Sequence, residues 1–433
     1  KYGANVLGMV PDGKRIRLGT TTSLLIQEES VVLGGGKGGG EIVYDPDDDE
    51  AIIALVTGRR SRFNGFFWNG VVNTQPNTLC IGIDTITNKI ENYQIAYHWG
   101  LKNPQGILDR VLMFPLASVS LSVAANAYVR ATNNGAVYQN QTGSAIVLTG
   151  TTSTTLASDG LTAITVNKVD TSEIFENQFQ TLTKRGLGLA SMEGSNSVYR
   201  NNMSCRGAKV DGNGLFTSDG STGPDVTLYQ FRGAAGLEWD FNSGTGNLEQ
   251  SGVTAGNEKG LDAVEDDGQR NVAVRGRGSV LEKINGKAWD VESDVTHLTE
   301  CQGQADEEAM HFKGQDLTLI SCFAKGNSAG TSPTADKDAL VVETKTAFID
   351  NPRSFNATGH GQVYKTGGDV TIIMPVSGGV DADSNGNQKS GIVIDAEGVK
   401  IITGKVINSN LADGSHPPID ITANGAGAEI YAV

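Results

Sequence analysis

Proline, cysteine and long apolar runs are all scarce in this 433-residue chain. No stretch approaches the roughly 18 consecutive apolar residues of a membrane-spanning helix, so membrane insertion is not expected. The four cysteines, Cys80, Cys205, Cys301 and Cys322, are too few and too scattered for a disulfide framework. None forms the CxxC pair of a metal site. Basic residues are outnumbered, with 34 Lys and Arg against 49 Asp and Glu, for a net charge of -15. That balance disfavours nucleic acid, whose phosphates would be repelled, and leaves no basic surface for anionic lipid. There is no phosphate loop, zinc spacing or locally supported Ser/His/Asp set, so neither cofactor nor metal is implied. The chain begins at Lys1 with no initiator Met and no signal-peptide pattern. Lys1 therefore reads as an artificial or processed boundary.

What is abundant is glycine, 56 residues against 11 prolines. Many short strands joined by tight turns follow from that composition. The length exceeds what one compact core usually serves, which leaves several domains or one elongated repeat. A repeat is visible. Apolar, variable, apolar triplets return at Leu187, Leu215, Leu237, Leu261, Trp289, Met310, Leu340, Val363, Ile392 and Ile419, at intervals of 21 to 30 residues. A second strand-like run follows in the later periods, as in "LTLISCFAKGN" and "VKIITGKVINS". A propeller blade needs about 40 residues, and a sandwich would not repeat. The fold expected is all-β: a single-stranded right-handed parallel β-helix with a short N-terminal capping helix. Weaker returns from Gly82, Gly106, Gly135 and Gly160 carry the solenoid back to about residue 50. The organisation is then an N-terminal strand and capping helix over 1–50, and a β-helix of about 13–15 coils over 51–433. The helix is placed in "TTTSLLIQEE", Thr20 to Glu29, where Leu24, Leu25 and Glu28 fall at helical spacing.

The opening "KYGAN", a helix, the glycine run "GGGKGGG" and "EIVYDP" resemble the start of pectate-lyase-like right-handed β-helices. Among these, they are similar to phage tailspikes and tail-fibre polysaccharide depolymerases. One feature departs from that pattern: "KRIRLGTTT", Lys14 to Thr22, stands where an acidic, threonine-rich signature is usual. The resemblance implies a homotrimer on a virion tail that binds, and often cleaves, bacterial surface polysaccharide. Virion tail or baseplate proteins would dock through a segment before Lys1. A signal peptide there would instead imply secretion.

Stacking the triplets in phase gives an outward row of Gly188, Phe216, Glu238, Asp262, Asp290, His311, Val341, Tyr364, Val393 and Asp420. Adjacent rungs lie about 4.8 Å apart and alternate rungs about 9.6 Å. Retaining glycosidases separate their carboxyls by about 5–5.5 Å and inverting ones by about 6.5–9.5 Å, so either chemistry is available. Crowding of like charges should raise at least one pKa. The catalytic reading takes Glu238 as acid, Asp290 as base and Asp262 as the neighbour that tunes them. A plain reading stands beside it: carboxylates on a solvated strand face of an acidic protein.

Substrate contacts are assigned to His311, to Asp240 on the Glu238 face, and to Tyr97, Trp99 and Trp68 in the aromatic clusters "YHWG" and "FFWNG". Sugar rings present apolar faces that stack on such side chains. Trp239 and Trp289 are expected in the core. Asp266, Asp267, Asp306 and Glu307 lie in turns that could extend the site. Arg275 and Arg277 in "VRGRG" keep a polysaccharide lyase open, and Cys301 and Cys322, one coil apart, should stack as buried thiols. The function expected is an endo-glycosidase acting on capsule or O-antigen. The alternatives are a non-catalytic glycan-binding spike and a lyase.

Overall fold

A computed structural model of the chain describes residues 7–10, 14–17, 24–35, 40–43, 52–69, 79–84, 86, 91–99, 101–102, 105–106, 112–114, 120–131, 136–149, 156–157, 160–165, 169–170, 173–181, 194–195, 197–200, 202–206, 227–231, 235–246, 259–264, 271–284, 286–326, 337–365, 368–378, 389–407, 417–425 and 427–431. Parallel strands stack on three faces, visited in turn by each coil. Face 1 runs from Leu24–Ile26 and Ile52–Val56 to Ile392–Ile394 and Ile419–Ile421. Among the described residues, fourteen strands in succession make face 2, from Leu7–Met9 to Glu429–Tyr431. Face 3 includes a ten-stranded sheet. The chain is a right-handed parallel β-helix, the hand that a right-twisted strand imposes on parallel crossovers.

Alternation fixes what points inward. In Leu237–Asp240 the sequence Leu, Glu, Trp, Asp buries Leu237 and Trp239 completely and exposes Glu238. Trp239 packs edge-on against Tyr229 and Phe231 of the preceding strand. At the corner between faces 2 and 3, one residue with positive φ precedes one that points inward. Tyr97, Glu176, Phe241, Glu300 and Ser321 hold the first position, and His98, Asn177, Asn242, Cys301 and Cys322 the second. Each second residue serves its neighbour. The His98 backbone N–H donates to Asn177 Oδ1 (3.1 Å), Asn177 to Asn202 Oδ1 (3.2 Å), Asn202 to Asn242 Oδ1 (3.0 Å) and Asn242 to Ser279 Oγ (3.0 Å). These groups would otherwise be buried and unpaired, at about 1–3 kcal/mol each. Cys301 and Cys322 continue the row as free buried thiols, as expected. The hydrogen bond to Cys322, reinforced by burial, pushes the Cys301 thiol well above its ordinary value.

Three eleven-residue strands, Trp289–Thr299, Met310–Ile320 and Leu340–Asp350, pass from face 1 into face 2 without a break. In the middle one, Met310–Ile320, Gly314 has a φ of 146°, which suits glycine. A Cβ there would meet the Ser293 carbonyl oxygen at 1.9 Å.

Two expectations are corrected. The capping helix is absent: Leu24–Ile26 is a face 1 strand in parallel register with Ala54–Val56. Leu25 is exposed and Ile26 buried, so the period is two rather than helical. The returns at Gly135 and Gly160 are not coils. Around them, Tyr128–Ala131, Val137–Asn140 and Leu161–Ile164 pair antiparallel, with a small core of their own that includes Val123, Val129, Leu148 and Leu161. The solenoid closes over this excursion, because Gln94–Ala96 pairs directly with Glu173–Phe175.

Candidate functional site

Face 1 holds most of the expected carboxylate row. Gln230, Asp262, Asp290, His311, Val341, Val363, Val393 and Asp420 succeed one another in register. Val363 takes the place expected of Tyr364, which is one residue out of phase and buried in the core. The row is covered rather than open. Asp262 and Asp290 are buried, and so are Val341, Val363 and Val393, although none of these valines belongs to the solenoid core.

The buried charges are also matched. Lys259 Nζ lies 2.9 Å from Asp290 Oδ2 and 3.2 Å from Asp262 Oδ1. Lys287 Nζ lies 3.7 Å from Asp290 Oδ1 and 3.2 Å from Glu308 Oε2. His311 Nδ1 stands 3.0 Å from Asp290 Oδ1 and 2.9 Å from Lys287 Nζ, so the ring serves one partner in each tautomer. Burial works to raise the Asp290 carboxyl, but the His311 hydrogen bond and the Lys259 and Lys287 charges outweigh it. They hold Asp290 well below the usual carboxylate range. Crowding was expected to raise such a group, and the lysines reverse the sign. Lys259 answers in kind: burial would lower it, yet the two carboxylates leave it raised.

Glu238 is elsewhere. Its strand lies on face 2, where Val198, Glu238, Arg275, His297, Thr318 and Phe348 are in register. Glu238 is therefore not stacked on Asp262 or Asp290, and the expected acid–base pair of Glu238 and Asp290 does not form. Glu238, Arg275 and His297 are exposed, and among the described residues none of the three makes a side-chain hydrogen bond or ion pair. Asp240, two residues along the same face, accepts from Arg277 Nε at 3.2 Å. At the corner, Phe241 is 48% exposed with the Arg277 guanidinium 5.2 Å from its ring centre. Gly278 leaves room for that ring, since a Cβ would meet it at 2.5 Å. Glu238 and Asp240 lie two residues apart on one strand and so project from the same face, with about 6.6 Å of backbone between them.

The aromatic candidates divide. Trp68 is buried, its Nε1 donating to His98 Nδ1 at 3.1 Å, so it serves the core and not a ligand. His98 is itself buried, with its pKa lowered to about 4 by desolvation. Tyr97 is exposed, and Trp99 is half-buried beside Phe67. Trp239 and Trp289 are in the core as expected. Gly188, Phe216, Asp266 and Asp267 lie outside the described residues.

No family model matches the chain, and no curated protein matches it. Solved structures do. The A-module of the mannuronan C-5 epimerase AlgE6 from Azotobacter vinelandii is similar over 99% of this chain and 90% of its own, at 9% identity and a TM-score of 0.42. The Dettilon tailspike protein is similar over 96% of this chain and 61% of its own, at 8% identity and a TM-score of 0.37. The Streptococcus pneumoniae surface protein and adhesin PfbA is similar over 96% and 91%, at 11% identity and a TM-score of 0.28.

Sequence reasoning passed over His297 and Phe241, and held Arg275 and Arg277 only as residues that keep a lyase open. The signal that could have found them is the coil length. Glu238 pairs with Arg275, 37 residues on, whereas the 24-residue step to Asp262 crosses to another face.

Proposed function

We propose that the chain binds a repeating bacterial surface polysaccharide along face 2 and hydrolyses it at Glu238 and Asp240. The observation that carries this reading is the exposed row of Glu238, Arg275 and His297, without side-chain partners among the described residues, beside Asp240 and Phe241. Each component has a task. Phe241 offers an apolar face to a sugar ring. Arg275 and Arg277 are forked donors for hydroxyl or carboxylate oxygens. Glu238 protonates the leaving glycosidic oxygen, while Asp240, oriented by Arg277, activates a water on the opposite side. A long solenoid suits a polymer, because equivalent positions recur every 4.8 Å or so. What remains of the N-terminal resemblance without its helix, "KYGAN", the glycine run and "EIVYDP", supports a tailspike-like setting, as a homotrimer on a virion tail.

The test is reducing-end release from a panel of capsular and lipopolysaccharide glycans, comparing wild type with Glu238→Gln, Asp240→Asn and Asp290→Asn. Loss in the first two, with cleavage retained in the third, supports the face 2 site. Loss only in Asp290→Asn returns the chemistry to face 1. An unsaturated product would identify a lyase, and binding without cleavage by wild type would leave a recognition spike.

A further inference from the structure

We infer that Tyr97 and Phe175 form a second sugar-binding subsite on the same corner, remote from Glu238, that takes a pyranose ring of the polymer. This rests on the polysaccharide reading above and adds the direction and reach of the bound chain. Tyr97 occupies the corner with φ 60° and is 42% exposed. The next residue, His98, is the one that points into the solenoid there, and the Tyr97 ring stands outside. Phe175, one rung on, meets the Tyr97 ring edge-to-face with centroids 5.1 Å apart and an interplanar angle of 87°. Two aromatic rings are thereby fixed at right angles on an open edge.

A polar pair flanks them on the same two strands. Gln94 Nε2 donates to Glu173 Oε2 at 3.0 Å, and Gln94 is itself held by Asn64 Nδ2 at 2.7 Å. The remaining Glu173 carboxylate valences are acceptors at the height of the rings, suited to the hydroxyls at the edge of a sugar stacked on Tyr97. Aromatic face and fixed acceptors together are what a pyranose requires, and what a purely apolar ligand would leave half unused.

The path to the reacting centre is continuous. Ala96, Phe175, Arg200 and Asp240 are successive partners in register. Exposed Arg200 therefore stands between the aromatic pair and Asp240. From Gln94–Ala96 to Leu237–Asp240 there are three rung steps, about 14 Å. The polymer would lie parallel to the solenoid axis, spanning the three rungs from the subsite to Asp240.

Calorimetric titration of the Glu238→Gln chain with the panel polysaccharide that wild type binds or cleaves tests this, before and after adding Tyr97→Asn. Asparagine tolerates the left-handed φ. Binding of the polymer should weaken about three- to tenfold, and Tyr97→Trp should restore it. Phe175→Ala should weaken it similarly. Oligosaccharides too short to span the three rungs should bind all variants alike. A Tyr97→Asn chain that melts like its parent and binds the polymer equally tightly overturns the subsite and leaves the polysaccharide reading standing. If wild type binds no glycan of the panel, both fall.

Discussion

Faces 1 and 2 of one solenoid carry rows of similar composition with opposite fates. On face 1, Asp262 and Asp290 are sunk under Lys259 and Lys287 and matched where they stand, with His311 in hydrogen-bond reach of Asp290. On face 2, Glu238, Arg275 and His297 stand in the open with no partner among the described residues. A charge that is buried must be matched, and once matched it holds coils together rather than meeting a ligand. An exposed, unmatched charge contributes little to stability and is free for binding. Stacked carboxylates are thus no guide to chemistry until their cover is known.

The largest effect expected is on activity. Glu238→Gln should lower the rate of reducing-end release about 10²- to 10⁴-fold, the range of a lost general acid, with the melting transition unchanged. Asp290→Asn should do the reverse. Removing one partner from a buried pair costs about 3 kcal/mol, seen as faster hydrogen exchange across Trp289–Thr299, with turnover retained. A Glu238→Gln chain that unfolds early, or an Asp290→Asn chain that is stable and inactive, breaks the comparison.

Acid sharpens it. The folded-state pKa of His98 is depressed from 6.5 to about 4. The unfolded chain therefore takes up the proton first, so the His98 contribution is complete above pH 6.5 and is lost as pH falls to about 4. The loss should approach about 3 kcal/mol over that window. Asp290, also depressed, keeps its contribution throughout and loses it only as pH falls below the ordinary carboxylate value of 3.8. Stability measured between pH 7 and 4 should fall less in His98→Gln than in wild type. The smallest effect belongs to the exposed pair: Arg277→Ala should change stability by about 0.5 kcal/mol or less, although Arg277 contacts both Asp240 and Phe241.

Much of the architecture was legible. Leu237, Trp239, Leu261, Trp289, Met310 and Leu340 all point inward as their alternation requires, and the register from Asp262 through Asp290 to His311 follows from the same phase. Glu238 was misplaced because period two separates inside from outside but says nothing about which face a strand joins. The helix over Thr20–Glu29 was misread for a related reason: three apolar residues in a row fit either period, and only pairing with Ala54–Val56 decides. The corner row of Asn177, Asn202 and Asn242 left a faint signal, an asparagine two residues after each strand end in "EN", "NN" and "FN". Its function as a hydrogen-bond ladder depends on spacings of 25 and 40 residues that no local pattern links.

The sequence by itself determined that this chain is a β-solenoid, because apolar alternation and glycine-rich turns act between near neighbours. Only the tertiary structure decided which coils stack on which, since each loop is free to vary in length and the excursion at 112–164 adds nothing to the rise. It alone decided that Asp290 is a buried strut and Glu238 an open side chain. Burial depends on what the rest of the chain lays over a strand, and two outward residues of the same type look alike until that cover is in place.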